Sequence, residues 1–286
     1  MELEILGSGG SFTTPKIFCE CQSCKDARNN GIKYSRLGPS VFVHGPDILI
    51  DTPDEISIQI NRSSIRNINA CFYSHWHPDH TAGKRIFSTG EDLINEPPQN
   101  ICIPVVLTEK IATTFSECLG IMDHFNFMEH QGVIKKQIIK NDEVIEINGY
   151  KIQPIQLAQD FVFGYKIFND VQNILIIMDE LKDWAPSKDI METKFDLVYL
   201  PFGIFHFNPI TNKKLFPDDY FLFEEEATID ETLNIIRNLN SKQFVLSHFE
   251  EPDNITLDLA TDLQTFYSKE TNKEIKLAFD TLKISL

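Results

Sequence analysis

The stretch that decides the fold of this protein is rich in metal-binding side chains: Ser74-His75-Trp76-His77-Pro78-Asp79-His80. It holds three of the eight histidines of the chain and follows a short apolar run that predicts a β-strand. Imidazole and carboxylate groups are the usual protein ligands of Zn, Mn and Fe ions. His75 and His77 share one face of an extended chain, because side chains two residues apart point the same way. Pro78 then bends the chain and turns Asp79 and His80 toward a neighbouring point, so one loop can serve two adjacent metals.

This stretch resembles the signature His-x-His-x-Asp-His of the metallo-β-lactamase superfamily. Three strand-like runs extend the resemblance over most of the chain: Ile48 to Thr52, Ile176 to Asp179 and Val245 to His248. The resemblance implies an α/β fold, a four-layer αββα sandwich with the metals at one rim. It also implies one or two divalent ions (Zn, Mn or Fe) with these ligands: His75 and His77 for the first metal, Asp79, His80 and His248 for the second, and Asp179 between the two.

Asp51 ends the first of these runs. We expect it to orient loop residues or a ligand imidazole rather than to bind metal directly. The alternative is a simple aspartate that starts a turn. The glycine-rich loop from Gly7 to Ser11 lacks the following Lys-Ser/Thr of a nucleotide-binding loop, so it predicts a tight turn.

Three of the six cysteines, Cys19, Cys21 and Cys24, lie close together near the N-terminus. The pattern Cys-x-Cys-x-x-Cys is similar to that of the phosphodiesterase group associated with phosphonate breakdown, in which three cysteines and a histidine hold a structural zinc. Glu251 stands where that histidine is expected. Glu251, Glu250 or a distant histidine could complete a tetrahedral site, since carboxylate oxygen is an acceptable zinc donor. The alternative is three cysteines without a ligand.

A second departure concerns the first metal. The resemblance places a third histidine ligand before the segment Phe163-Gly164-Tyr165, and Gln159 stands at that position. An amide oxygen is a weaker donor than imidazole, so the sequence predicts a looser first site or an ion that favours oxygen. Asp160 could replace it after a small loop shift, and loss of the first metal is a further alternative.

His206 follows the strand-like run Leu197 to Leu200, where related enzymes often place a histidine that contacts substrate. We expect it to donate a proton to the leaving oxygen or to bind phosphate. The competing interpretation is a histidine packed between aromatic neighbours. Together with Asp79, His206 is our candidate for catalysis.

Periodicity predicts the remaining elements. Apolar runs bounded by turn residues predict these strands: Leu3–Leu6, Ser40–Val43, Ile48–Ile50, Ala70–Tyr73, Ile103–Leu107, Val144–Ile147, Lys151–Ile155, Ile174–Ile177, Leu197–Leu200 and Phe244–Leu246. Helical spacing and a capping box predict these helices: Glu109–Leu119, Thr228–Leu239 and Leu257–Tyr267. Without repeats or long linkers, the economical prediction is a single domain over residues 1–286.

The charge balance restricts the partners. The chain of 286 residues has 26 Lys and Arg against 42 Asp and Glu, a net charge of −16. Long nucleic acids and anionic membranes are bound by cationic side chains, so this balance argues against both, and against the tRNA-processing relatives. The acidic N-terminus lacks the features of a signal peptide, and no apolar run is long enough to cross a membrane. We therefore expect a cytoplasmic protein with a small-molecule substrate, and a homodimer stays open.

The resulting hypothesis is a metal-dependent hydrolase, specifically a phosphodiesterase that attacks a small organic or cyclic phosphate with a metal-bound hydroxide. The same metal site could hydrolyse a lactone, thioester or other ester, because the fold does not determine which electrophile is attacked. Because Gln159 stands where a histidine ligand is expected, a weakly active binding or regulatory protein is an alternative. A dioxygenase relative with one iron is a smaller alternative.

Overall fold

The computed structural model describes residues 1–204 and 206–286. These residues form two seven-stranded sheets. The first sheet contains the following strands, numbered along the chain: β1 (Glu2–Gly7), β2 (Ser40–His44), β3 (Ile48–Ile50), β4 (Ala70–Phe72), β5 (Ile103–Thr108), β6 (Ile134–Ile139) and β14 (Lys283–Ser285). Their spatial order is β14-β1-β2-β3-β4-β5-β6, antiparallel from β14 to β3 and parallel from β3 to β6.

The second sheet is built in the same way from the remaining strands: β7 (Ile145–Ile147), β8 (Tyr150–Gln156), β9 (Phe163–Phe168), β10 (Asn173–Ile176), β11 (Leu197–Pro201), β12 (Gln243–Ser247) and β13 (Glu274–Leu277). Their order is β13-β12-β11-β10-β9-β8-β7, parallel from β13 to β10 and antiparallel beyond. Each of the strands expected from periodicity is present.

Helices flank both sheets. They are α1 (Gln22–Asn30), α2 (Ile56–Arg62), α3 (Pro78–Thr81), α4 (Glu109–Glu117), α5 (Ile121–His130), α6 (Lys188–Glu192), α7 (Leu222–Glu225), α8 (Ile229–Asn238) and α9 (Leu257–Thr271). Helices α2, α4 and α5 pack on the first sheet, and α9 packs on the second sheet and on α8. The expected capping box is present, since Thr228 and Glu231 satisfy each other's backbone amides at the start of α8. The predicted αββα sandwich is confirmed.

The central strands explain why the two sheets stay together. Every residue of β3, β4 and β11 is buried. Strands covered on both faces need continuous apolar runs, which is the pattern of these segments. Their side chains join one hydrophobic cluster that extends through both sheets. In the described part of the chain, no helix is long and apolar enough to cross a membrane.

Parallel strands position the polar residues singled out from the sequence. Asp51 follows β3, the histidine loop follows β4, Asp179 follows β10 and His248 follows β12. Because the carboxyl ends of parallel strands meet at one edge of a sheet, residues from distant parts of the chain converge there.

Candidate metal centre

The histidine loop has the shape that its sequence predicts. Pro78 occupies the first turn of the short helix α3, which presents Asp79 and His80. His75 and His80 are fully buried, whereas His77 is half-buried. The loop therefore directs its ligand candidates inward in two sets.

One set of donors consists of Asp79, His80, Asp179 and His248. Asp79 Oδ2 lies 3.3 Å from His80 Nε2 and 3.6 Å from His248 Nε2. Asp179 Oδ2 lies 3.7 Å from His80 Nε2 and 3.2 Å from His248 Nε2. Donors placed tetrahedrally at about 2.0–2.1 Å from one ion lie about 3.4 Å from one another. These separations are those of ligands around a shared ion.

The other set consists of His75, His77, Asp179 and Glu180. Glu180 Oε1 lies 3.2 Å from His77 Nδ1. Asp179 belongs to both sets, as expected for a carboxylate between two metals. Glu180 was not expected from the sequence. A carboxylate directly after a predicted strand-end ligand is the signal that could have identified it.

Buried polar atoms without partners support a metal-binding role. The Nε2 atoms of His75, His80 and His248 are buried and make no hydrogen bond to the residues that the structure describes. A buried polar atom left unsatisfied costs about 1–3 kcal/mol, which binding to an ion would remove. The residues present therefore fit the divalent ions that the fold implies.

The pKa shifts of the site residues also support metal binding. Burial lowers the pKa of His75 well below its usual value, and the imidazoles of His80 and His77 lower it further, so His75 is neutral and able to bind metal. Burial disfavours charge on His248, but the Asp179 and Asp79 carboxylates raise its pKa to about 10. Burial and the charge of Asp179 raise the pKa of Glu180 to about 8. Both shifts reflect a local demand for positive charge, which divalent ions satisfy.

Asp51 orients the ligand loop from behind. Its carboxylate accepts hydrogen bonds from the Ser74 amide (2.7 Å) and hydroxyl (2.6 Å), and it contacts His80 Nδ1 at 2.8 Å. This leaves His80 Nε2 free to face the ligand set. Asp51 thus makes the contacts expected of a residue that holds an imidazole in place.

We expect Asp51→Asn to weaken metal binding at the position formed by Asp79, His80 and His248 about 10–100-fold, the usual cost of losing such a support. An amide cannot accept all three of these hydrogen bonds. Titration of metal-free protein with Zn²⁺ would measure the change. Asp54→Asn, at an exposed carboxylate nearby, is the control, and equal affinities for the two variants would contradict the assignment.

The glycine-rich loop after β1 packs against the same centre. A Cβ at Gly10 would lie 2.6 Å from His248 Cε1, so only glycine allows this approach. The amides of Ser11 and Phe12 donate to the Glu250 carboxylate at 2.9 and 2.7 Å. These amides are therefore engaged by Glu250, which accordingly does not serve the cysteines.

Gln159 and Asp160 differ from their expected roles. The Gln159 Nε2 amide donates a hydrogen bond to Glu180 Oε2, so the contact seen is with the carboxylate rather than with the histidines. Asp160 is exposed, and its carboxylate pairs with Lys110 Nζ at 2.6 Å. Asp160 therefore pairs with Lys110 and does not replace Gln159 at the metal centre.

His206 lies outside both donor sets. Its Nε2 contacts Asp218 Oδ1 at 2.8 Å, and its ring packs on Phe207 and Phe223. It is also absent from the described residues that line the cavity at the metal centre. Its role as a proton donor stays a prediction.

The three clustered cysteines meet Glu251. Glu251 Oε1 lies 2.9 Å from Cys19 Sγ, 3.1 Å from Cys21 Sγ and 3.4 Å from Cys24 Sγ. Burial raises the pKa of the Cys21 thiol to about 12 and also raises that of Cys24. Burial would raise the pKa of Glu251 too, but the three thiols hydrogen-bond to it and lower that pKa. Three sulfurs and one carboxylate oxygen are a donor set suited to tetrahedral zinc.

A cavity of about 300 Å³ opens over the metal centre. Its floor includes His77, Asp79, Asp179 and His248. Its walls are largely apolar and aromatic, with these side chains among them: Phe12, Leu181, Ile204, Phe216, Tyr220 and Leu222. Glu226, Glu250 and Asp253 also line it.

Solved structures share this architecture. A diphosphatase of the PhnP family superimposes with a TM-score of 0.72 at 21% identity, over 100% of this chain and 97% of that one. Zn²⁺-bound PqqB from Methylobacterium extorquens gives 0.73 at 17% identity over 100% of both chains. The short form of human tRNase Z gives 0.63 at 15% identity, over 100% of this chain and 99% of that one. No protein-family model and no curated protein sequence matches the chain. The protein has the metallo-β-lactamase fold.

Proposed function

We propose that this protein is a metal-dependent hydrolase, specifically a phosphodiesterase for a small organic phosphate. The observation that carries the proposal is the pair of donor sets joined by Asp179 at the floor of the cavity. Divalent ions held there would acidify water and stabilise charge on phosphoryl oxygens. The fold shared with a PhnP-family diphosphatase and with tRNase Z supports phosphate chemistry.

Each of the two donor sets would hold one metal ion. His75, His77, Asp179 and Glu180 would hold one ion, and Asp79, His80, Asp179 and His248 the other. The imidazoles of His80 and His248 lower the pKa of Asp79 well below its usual value, although burial opposes them. Asp79 therefore remains a carboxylate that lines the cavity, where it can orient a water molecule by accepting its hydrogen bond.

The cavity walls favour a substrate with one phosphate. None of the described lining residues is Lys or Arg, whereas Glu226, Glu250 and Asp253 are acidic. A second phosphate would have no Lys or Arg side chain there to bind it. Phe12, Phe216 and Tyr220 instead fit an apolar or aromatic substituent. The proposed substrate is a monoanionic diester with such a group.

Glu226 is our candidate for the proton donor to the leaving oxygen. It lines the cavity and is half-buried, whereas His206 is outside the lining. Burial is the largest cause that raises the pKa of Glu226, and it does not depend on the charge of Asp179. A carboxyl group with a raised pKa keeps its proton more readily and is suited to donating it.

We expect Glu226→Gln to lower kcat about 10²-fold for alkyl diesters, whose alkoxide leaving groups need a proton. It should change kcat little for p-nitrophenyl diesters, because nitrophenolate leaves without one. His206→Ala is the matched comparison. A leaving-group-dependent loss in His206→Ala but not in Glu226→Gln would restore the sequence-based assignment.

Hydrolysis assays test the proposed function itself. Purified protein loaded with Mn²⁺ or Zn²⁺ should turn over bis(p-nitrophenyl) phosphate and lose that activity with a chelator. Turnover of p-nitrophenyl acetate or a lactone without any diesterase activity would instead indicate an acyl hydrolase. Metal binding without turnover of any of these substrates would indicate a binding or regulatory protein.

A further inference from the structure

Gln159 contacts the first donor set (His75, His77, Asp179 and Glu180) through the Glu180 carboxylate. Glu180 Oε1 lies 3.2 Å from His77 Nδ1, and the other carboxylate oxygen, Oε2, accepts a hydrogen bond from Gln159 Nε2. One oxygen of the Glu180 carboxylate thus faces the metal-ligand candidates, and the other oxygen is fixed by the hydrogen bond from Gln159. We propose that Glu180 is the fourth protein donor of the first metal position and that Gln159 is its positioning residue.

The backbone explains how two consecutive residues can both face the centre. Neighbouring side chains in an extended segment point in opposite directions, so Asp179 and Glu180 would diverge if β10 simply continued. Glu180 instead has φ 56°, in the left-handed region that residues other than glycine seldom adopt. This turn brings the Glu180 carboxylate to the same side as Asp179. Such backbone strain persists where surrounding contacts hold it, and it is concentrated at functional sites.

The burial of Glu180 is a second reason to place a metal ion beside its carboxylate. Glu180 is 5% exposed and lies beside the Asp179 carboxylate. Two carboxylates in a buried position repel each other unless one of them is protonated or a cation lies between them. The amide of Gln159 is neutral and satisfies only one oxygen of Glu180. A divalent ion beside Oε1 would supply the missing charge.

The donor chemistry then predicts the preferred metal. This position has two imidazoles and two carboxylates, whereas a third histidine would give three imidazoles and one carboxylate. Carboxylate oxygen suits Mn²⁺ better than imidazole nitrogen does, and imidazole suits Zn²⁺. The pair Gln159 and Glu180 should therefore move the first position toward manganese. This inference rests on the proposed metal-dependent function, but it concerns ligand identity and not the substrate.

The test is a titration of metal-free protein with Mn²⁺ and Zn²⁺, counting equivalents by calorimetry and following bound Mn²⁺ by electron paramagnetic resonance. We expect Glu180→Gln to weaken one equivalent of Mn²⁺ by more than about 100-fold, beyond the range of indirect supports. Gln159→Ala should weaken the same equivalent by about 10-fold, as a positioning residue does. The double variant Gln159→His with Glu180→Ala should recover Zn²⁺ binding but not Mn²⁺ binding.

Asp160→Asn is the control, because Asp160 is next to Gln159 in sequence but is exposed and pairs with Lys110. It should bind both metals like the wild type. Melting temperatures of all variants would show that each is folded. Wild-type isotherms and resonance spectra for Glu180→Gln would overturn the inference. Normal metal binding by the wild type without turnover of diesters would overturn the proposed function and leave this inference standing.

Discussion

Asp179→Asn is expected to lower kcat/KM for a phosphodiester by more than about 10³-fold. Asp179 is the one residue common to both donor sets, and its Oδ2 lies 3.2 Å from His248 Nε2. Metal ions contribute several kcal/mol of transition-state stabilisation, and each 1.36 kcal/mol is a tenfold change in rate. Asparagine keeps the shape of the side chain but removes the negative charge that both positions need.

The same variant should lose metal as well as activity. Elemental analysis should find fewer active-site equivalents in Asp179→Asn, while the cysteine site keeps its zinc. Asp183→Asn is the control, because Asp183 is an exposed carboxylate in the same loop. Full metal content with full activity in Asp179→Asn would show that the two donor sets do not share this residue.

Cys21→Ser is expected to give the largest change in stability. Cys21 is the N-cap of α1, where its sulfur accepts a hydrogen bond from the Cys24 amide. Serine is a preferred N-cap residue, so this substitution keeps the cap and removes the thiolate donor. We expect zinc to fall by about one equivalent per chain. The melting temperature should fall by about 4–8 °C, which corresponds to about 2 kcal/mol for a chain of this size.

Cys102→Ser provides the comparison, because Cys102 is exposed and lies outside the cluster. It should melt like the wild type and keep all of its zinc. Diesterase activity of Cys21→Ser at 20 °C should stay close to that of the wild type, because the cysteine site is separate from the two donor sets. A Cys21→Ser protein with normal melting and full zinc would show that the cysteines hold no structural metal.

Much of the fold could be predicted because the central strands have a local signal. Segments such as β3 and β11 are apolar throughout, as strands buried on both faces must be. Periodicity did not predict β6, β9, β13 and β14. Of these, β9 lies inside the second sheet, and the other three lie at edges of the two sheets. Edge strands are short or carry charged residues, and pairing with a distant segment stabilises them. Their formation therefore depends on contacts that no local pattern contains.

By itself, the sequence determined the residues whose positions follow from short-range geometry. The spacing of His75, His77 and His80 within one loop predicted that they would converge, because alternation and a proline turn act over a few residues. The tertiary structure alone decided which residues complete each candidate site. Glu251 lies 227 residues beyond Cys24 in the chain, and Gln159 meets Glu180 across 21 residues. A left-handed backbone turn at Glu180 then placed its carboxylate beside His77. Such contacts depend on how two sheets pack and how one backbone angle is held, and neither is encoded in the spacing of residues along the chain.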